Sequence, residues 1–403
     1  RGAAPHDRHR ADCVAMGDGG ALDGILVVDV SAAVAGPYIS TQLADMGADV
    51  IMVEPVHRPD VMRVTGPIVG DVSGSWVAMH RNKRAIAVDL RDPRVLDAVR
   101  RLADRADVFV QNFRPGVAER LGVGQAELRA RNERLVYVSV SGFGPDGPYA
   151  GQPVYDPIVQ GIAGVAASQR GDFVRNVMVD KVTAMTAANA TLGALLARHR
   201  TGRGQLVEVN MLDATLAFTW LDTFWNHSID GVDPVPTYTE WYQPYDCADG
   251  QVALAWPTDD KFRRAVEGLG RPELADDERF ATRAGRVRHA AALIEACRDA
   301  FGRLTVAEAL ARLREADVPS APVKSLAETL ADPQVAHNRI IETHAHPVAG
   351  SVRITRPAAR FSDPPTAITR HAPGHGEHTD EVLAEAGVDV ATLQALRAEG
   401  AIR

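Results

Sequence analysis

Asp180 is the carboxylate whose neighbours best suit it to chemistry. It closes the short stretch Asn176-Val177-Met178-Val179 and stands before Lys181–Arg200, a long Ala/Thr/Leu-rich segment with helical character. That places it in what reads as an N-cap position. A helix N-terminus favours a carboxylate, and its free amides can stabilise negative charge developing on a substrate carbonyl. From position alone, a plain capping aspartate is the commoner reading. Gly142-Phe143-Gly144-Pro145-Asp146-Gly147 fits G-x-G-x-x-G, yet Pro145, Pro148 and Gly151 keep it in loop geometry, whereas a dinucleotide fingerprint opens a helix. The first βα turn, Ser31 to Pro37, also lacks the glycines, so an active-site loop is expected and a dinucleotide oxidoreductase is not. His371, His375, Glu377 and His378, with His344 and His346, match no established metal-ligand spacing and read as solvated loop histidines. Neither a GxSxG elbow nor a P-loop is present.

The elements that must position Asp180 alternate regularly. Strand patterns at Ile25–Val30, Asp49–Glu54, Ala85–Leu90, Asp107–Gln111, Leu135–Ser141 and Gln205–Val209 are interleaved with helical ones at Gly36–Met46, Pro93–Arg105, Gln125–Arg131 and Lys181–Arg200. Such βαβ alternation predicts an α/β fold with a parallel sheet covered on both faces, and ligands at the carboxyl ends of its strands. A further apolar helix is expected over Met211–Asn226. The proline-rich stretch from Asp230 to Pro244 breaks the pattern. A short strand pair (Tyr245–Trp256) and charged amphipathic helices follow, as in a smaller α+β domain. The expected organisation is a tail over residues 1–21, disordered or appended; the first part of the large domain over 22–229; the small domain over 230–325; and a return segment, 326–403, completing the large domain.

Composition narrows the function classes. The 403 residues carry 44 Lys+Arg against 52 Asp+Glu, a net charge of -8, so no basic surplus exists to neutralise a nucleic-acid backbone. No apolar run is long enough to cross a bilayer. Cys13, Cys247 and Cys297 are odd in number and widely spaced, which predicts a reducing, cytoplasmic setting without a disulfide framework.

A set of short motifs, in order, resembles the family III CoA-transferases. They are Ala35-Gly36-Pro37, Leu43-Ala44-Asp45-Met46-Gly47-Ala48-Asp49-Val50, Arg81-Asn82-Lys83-Arg84, Val110-Gln111-Asn112-Phe113-Arg114-Pro115-Gly116 with Arg120-Leu121-Gly122, Ser141-Gly142-Phe143-Gly144, Val154-Tyr155-Asp156, Thr201-Gly202-Arg203-Gly204-Gln205 and Gly376-Glu377-His378-Thr379. The resemblance runs from Leu22 onward. It implies a Rossmann-like large domain, an interlocked homodimer, and coenzyme A or acyl-CoA and a carboxylic acid as substrates, with no permanently bound cofactor. It makes Asp180 the catalytic nucleophile, attacking the donor thioester to give an aspartyl anhydride and then an aspartyl-CoA thioester. It places Asn112, Phe113 and Arg120 at the CoA site, Tyr155 beside the reacting thioester, and Lys83 and Arg84 near the CoA phosphates, where cations suit the charge.

Two departures shape the substrate expectations. Formyl-CoA transferase carries a glycine run in its small domain, but Trp241, Tyr242 and Gln243 stand in that region here, which argues against formate or oxalate. A basic residue expected after the second strand is missing at Pro55, leaving His57 or Arg58 to meet a phosphate. The racemase relatives require a histidine immediately before the Asp of the Tyr155-Asp156 pair. Tyrosine is a poor base at neutral pH, so transfer is favoured over racemisation, with a non-catalytic CoA-binding paralogue as a further alternative. Trp220, Trp225, Trp241 and Tyr242 suit either a bulky acyl group or a core.

Overall fold

The protein is described by a computed structural model, which places residues 20–235, 239 and 243–403. The described residues divide into two compact units, residues 20–218 with 339–403, and those within 219–338. The crossings thus fall after 218 and 338, where the sequence pattern suggested 229 and 325.

The first unit opens with β1 (Leu26–Asp29), α1 (Ala35–Asp45) and β2 (Asp49–Pro55), followed by the small hairpin β3 (Ile68–Val69) and β4 (Val72–Ser73), then α2 (Gly74–Met79) and β5 (Lys83–Val88). Next come α3 (Pro93–Arg105), β6 (Val108–Gln111), α4 (Val117–Arg120), α5 (Gln125–Arg131), β7 (Val136–Ser141), α6 (Asp156–Ile162), α7 (Val165–Ser168), α8 (Met178–Thr201), β8 (Leu206–Asn210) and α9 (Met211–Thr219). The six longer strands form one parallel sheet in the order β5-β2-β1-β6-β7-β8. Between β1 and β6 the winding reverses. The loops leaving their carboxyl ends diverge there, and the crevice between them is where α/β sheets of this type bind ligands.

Period-two alternation sorts the strand side chains onto two faces. Val27, Val50, Val108, Val136 and Val138 pack against α1 and α8, while Val28, Ile51, Ile86, Phe109 and Tyr137 pack on the opposite face with α3. Buried on both sides, the strands read as continuous apolar runs. The second face is completed by α17 (Thr379–Glu385) and α18 (Val390–Ala398), which return after the hairpin of β12 (Ile341–His346) and β13 (Gly350–Thr355). Backbone bonds from His378 to Ala85 and from Arg403 to Ala87 tie this return to β5.

The second unit carries an antiparallel sheet of β9 (Tyr245–Asp246), β10 (Gln251–Leu254) and β11 (Ser320–Pro322), with helices α10 (Asp259–Gly268), α11 (Glu273–Asp276), α12 (Arg283–Arg288), α13 (Ala290–Gly302), α14 (Val306–Glu315), α15 (Leu326–Leu330) and α16 (Pro333–Asn338). The expected helix over 211–226 ends instead at Thr219 and is followed by a π turn and a 3-10 turn through His227. Trp220 is 46% exposed and stacks on Phe224, so it is not a core residue of this unit. Cys13, Trp241 and Tyr242 lie outside the described residues. No helix among the described residues is long and apolar enough to cross a membrane.

Candidate functional site

At the reversal point, three polar side chains hold the loop that joins β1 to α1. Asp29, fully buried at the end of β1, accepts the Ser31 amide at 2.9 Å and the hydroxyls of Ser31 and Ser40. Asn112, the first residue after β6, pairs with both backbone groups of Ala32: its Oδ1 accepts the amide at 2.9 Å and its Nδ2 donates to the carbonyl at 2.7 Å. Asp60, in the loop after β2, accepts the Ala33 amide at 2.8 Å and the Met62 amide at 2.7 Å. Ala33 takes the left-handed conformation, φ +63°.

This loop delivers the first turn of α1 to Asp180, where the Ala35 backbone amide favours the ionised carboxyl. Asp180 does not occupy the N-cap expected for it. The helix α8 begins at Met178 with Val177 as its cap residue, so Asp180 lies in the first turn. The capping is done by Asp156, 3% exposed, whose Oδ2 accepts the amides of Val179 at 2.7 Å and Asp180 at 3.3 Å. Gln160, one turn along α6, bonds Asp156 and clamps Val174 through both its amide groups, fixing the approach to α8. Because Asp156 fills the structural role, the Asp180 carboxyl is released from it.

Burial pushes the Asp180 carboxyl up to about 6, and the nearby Asp156 charge adds to the rise; the Ala35 amide and Lys181 act in the opposite sense. At pH 7 the group is still mostly ionised, yet it is more basic than an ordinary surface aspartate and correspondingly a better nucleophile. The N-terminus of α1 faces it, and the positive end of that helix suits a developing oxyanion, whereas the first-turn amides of α8 are already taken by Asp156, Asn176 and Val177. Asp156 was missed as a functional residue. The signal available was its position one residue after Tyr155, at the start of a helical stretch with proline in the first turn.

The other anticipated residues fall into two groups. Asn112 lies in the same loop cluster as Ala35, and Tyr155 is 71% exposed next to the capping Asp156. Phe113 is half-buried, its amide bonded to the Gln111 side chain at 2.7 Å. It lines a cavity of about 260 Å³ at the carboxyl ends of β6, β7 and β8, together with Arg114, Ser139, Ser141 and Asn210. Arg120 is exposed at the end of α4, packed back on Gly116.

Lys83 and Arg84 stand elsewhere, and the expectation of a phosphate-facing pair is corrected. Both belong to β5 and are buried. The Lys83 ammonium donates to the Pro37 carbonyl at 2.7 Å, lies 4.0 Å from Asp29 and 3.5 Å from His80, and burial pushes it down to about 8. Arg84 is committed to Asp49, Glu381 and Glu385. A phosphate would have to displace three carboxylates to reach it. Lys83 instead stays beneath the site, supporting the first turn of α1 through Pro37.

The glycine-rich stretch 142–147 opens no helix. Gly144 and Gly147 take positive φ, and the Gly144 amide donates to Ser141 Oγ at 3.0 Å. The clustered histidines have protein partners: His371 bonds Glu377, His375 bonds the Pro55 carbonyl and Arg403, and His346 bonds the Ala372 carbonyl.

Comparison with known proteins places the chain in a family. Residues 22–379 match the model of CoA-transferase family III. The chain is 28% identical to human succinyl-CoA:glutarate CoA-transferase, across 90% of this chain and 85% of the relative. It is 33% identical to succinate–glutarate CoA-transferase of Agrobacterium fabrum, across 90% and 95%. The crystal structure of a CaiB/BaiF family protein from Brucella suis superimposes with a TM-score of 0.79 at 30% identity, covering 91% of this chain and all of that one. A family match over residues 22–379, with the α/β fold shared with that structure, identifies this chain as an enzyme of CoA-transferase family III.

Proposed function

We propose that this enzyme moves CoA from an acyl-CoA thioester to a free carboxylic acid, with Asp180 as the covalent carrier. The Asp180 carboxylate attacks the thioester carbonyl, and the C–S bond breaks to give an aspartyl–acyl anhydride and CoA thiolate. The thiolate attacks the aspartyl carbonyl, releasing the donor acid and leaving an aspartyl-CoA thioester. The acceptor carboxylate attacks that thioester, and the thiolate it frees then takes the acceptor's acyl group, regenerating Asp180. Each step passes through an oxyanion that the N-terminus of α1 can stabilise.

The observation that carries this reading is the release of Asp180 from capping: Asp156 takes the Val179 and Asp180 amides of α8, while the Asp180 carboxyl faces the Ala35 amide of α1. Phe113 and Asn112 border the CoA site, and the exposed cations Arg114 and Arg120 meet its phosphates in place of Lys83 and Arg84. The names of the two relatives support short dicarboxylic acids as donor and acceptor class. A homodimer belongs to this reading as well. Ile158 and Ile162 on α6 and Met185 on α8 leave large apolar side chains exposed near the site, with Leu196 further along α8, which suits cover by a second copy.

Incubation with succinyl-CoA followed by hydroxylamine should leave a hydroxamate on the Asp180 peptide, absent from Asp180→Ala. Loss of the donor's α-proton to deuterated solvent without such an adduct would point to the racemase reading instead.

A further inference from the structure

We propose that Asp60 is a positioning residue for the transfer reaction: its carboxylate locks Ala33 in a left-handed turn and so aims the first turn of α1 at Asp180. The proposal rests on Asp180 being the nucleophile.

Left-handed backbone is costly for a residue with a Cβ and persists where the surroundings over-determine it. Around Ala33 they do. Asp29 holds Ser31 and Asn112 holds Ala32, but among the described residues only Asp60 bonds the Ala33 amide itself. Asp60 is 6% exposed, and its second oxygen caps Met62. The next residue, Arg63, is anchored by a buried ion pair with Glu54 at 2.6 Å and lies over the Trp76 ring at 3.6 Å. A rigid buried cluster therefore reaches through Asp60 to the active-site loop. Ala35, two residues past Ala33, presents the amide that favours the ionised Asp180 carboxyl. A loop that relaxes at Ala33 withdraws that amide.

The direction of one measurable change separates this role from a general one. Asp180 is faced by Asp156 from α6, Lys181 from its own helix and the Ala35 amide from α1. Removing the Asp60 charge alone would make Asp180 easier to ionise; removing the Ala35 amide makes it harder.

The test uses the full chain as wild type, Asp60→Asn, Ala33→Gly and the double variant. Asp180 is the only side-chain carboxyl in the tryptic peptide Asn176–Lys181, so the pH dependence of its carbodiimide labelling is read by mass spectrometry without substrate. Turnover is followed with succinyl-CoA and glutarate. In Asp60→Asn the labelling midpoint should move up, and kcat should fall about fivefold to thirtyfold, the factor that corresponds to the cost of the left-handed turn, with KM within about twofold. Glycine adopts that turn freely, so Ala33→Gly should recover part of both readouts in the double variant relative to Asp60→Asn alone. If Asp60→Asn does not fold, Asp60→Ser, which keeps a cap for Met62 and gives up Ala33, carries the same expectations. An unchanged or lowered midpoint, or a double variant no better than the single, overturns the proposal. If the nucleophile assignment itself fails, hydroxylamine trapping fails in wild type while the labelling series still decides the role of Asp60.

Discussion

Replacing Asp180 by asparagine is expected to abolish transfer and, at neutral pH, to make the protein harder to unfold. The magnitude follows from the carboxyl's environment. An aspartate whose ordinary value is 3.8 is raised to about 6 in the folded protein. Between those values the native state binds a proton that the unfolded state has lost, so stability falls as pH rises through the window. Above pH 6 the full penalty is present, about 3 kcal/mol. Asparagine does not titrate and keeps an oxygen for the Ala35 amide. The variant should therefore gain up to about 3 kcal/mol at pH 7–8, or about 6 °C in Tm for a unit of this size, and nothing at pH 3.5. Thermal melts of both proteins across pH 3.5–8 make the comparison. A variant that is less stable at pH 8, or whose advantage is the same at every pH, would refute the reasoning, because neither outcome is compatible with a charge held in a desolvated site.

Three further outcomes follow from the same network. Asp156→Asn removes a charge that raises Asp180, so the carbodiimide-labelling midpoint of Asp180 should fall below that of wild type. Arg63→Ala strips a buried partner from Glu54 and a cation from the Trp76 face; a loss of about 3–5 kcal/mol is expected in guanidinium melts, with Glu54→Gln in the same chain recovering part of it. Lys83, pushed down to about 8 from 10.5, binds its proton less tightly in the folded protein than in the unfolded one. Its charge is a burden below pH 8, so the stability of wild type relative to Lys83→Met should rise between about pH 8 and 10.5.

The sheet was legible because its strands are buried on both faces and so appear as uninterrupted apolar runs punctuated by glycine and proline. Five of its six strands begin within one residue of the position their patterns suggest. The exception is β5, which starts at Lys83 and not Ala85. Two consecutive cations argue against a buried strand unless their partners are known, and those partners lie far along the chain: Pro37 for Lys83, and Asp49, Glu381 and Glu385 for Arg84. The start of α8 was misplaced for a related reason. Its cap comes from Asp156, 23 residues before Val179, and a local reading assigns that work to the nearest aspartate, Asp180. Asp60 was invisible altogether, since nothing near it in sequence announces a bond to Ala33. Short-range signals locate elements; side chains that reach across the reversal point become readable only once the strand order is known.

The return of α17 and α18 to the sheet carries a consequence for biosynthesis. The Ala87 amide waits for Thr379, 292 residues later in the chain, and Val382, Leu383, Leu393, Leu396 and Ile402 complete the apolar layer over that face. At ordinary ribosomal speeds that interval is on the order of 15–60 s. During it, the nascent sheet has its α1 and α8 side clothed while much of the other side is bare, and the second unit, whose residues are contiguous, can fold in the meantime. The growing chain is therefore a client for holding factors at the ribosome, and the enzyme's vulnerability to aggregation is concentrated in the time before its own C-terminal helices emerge.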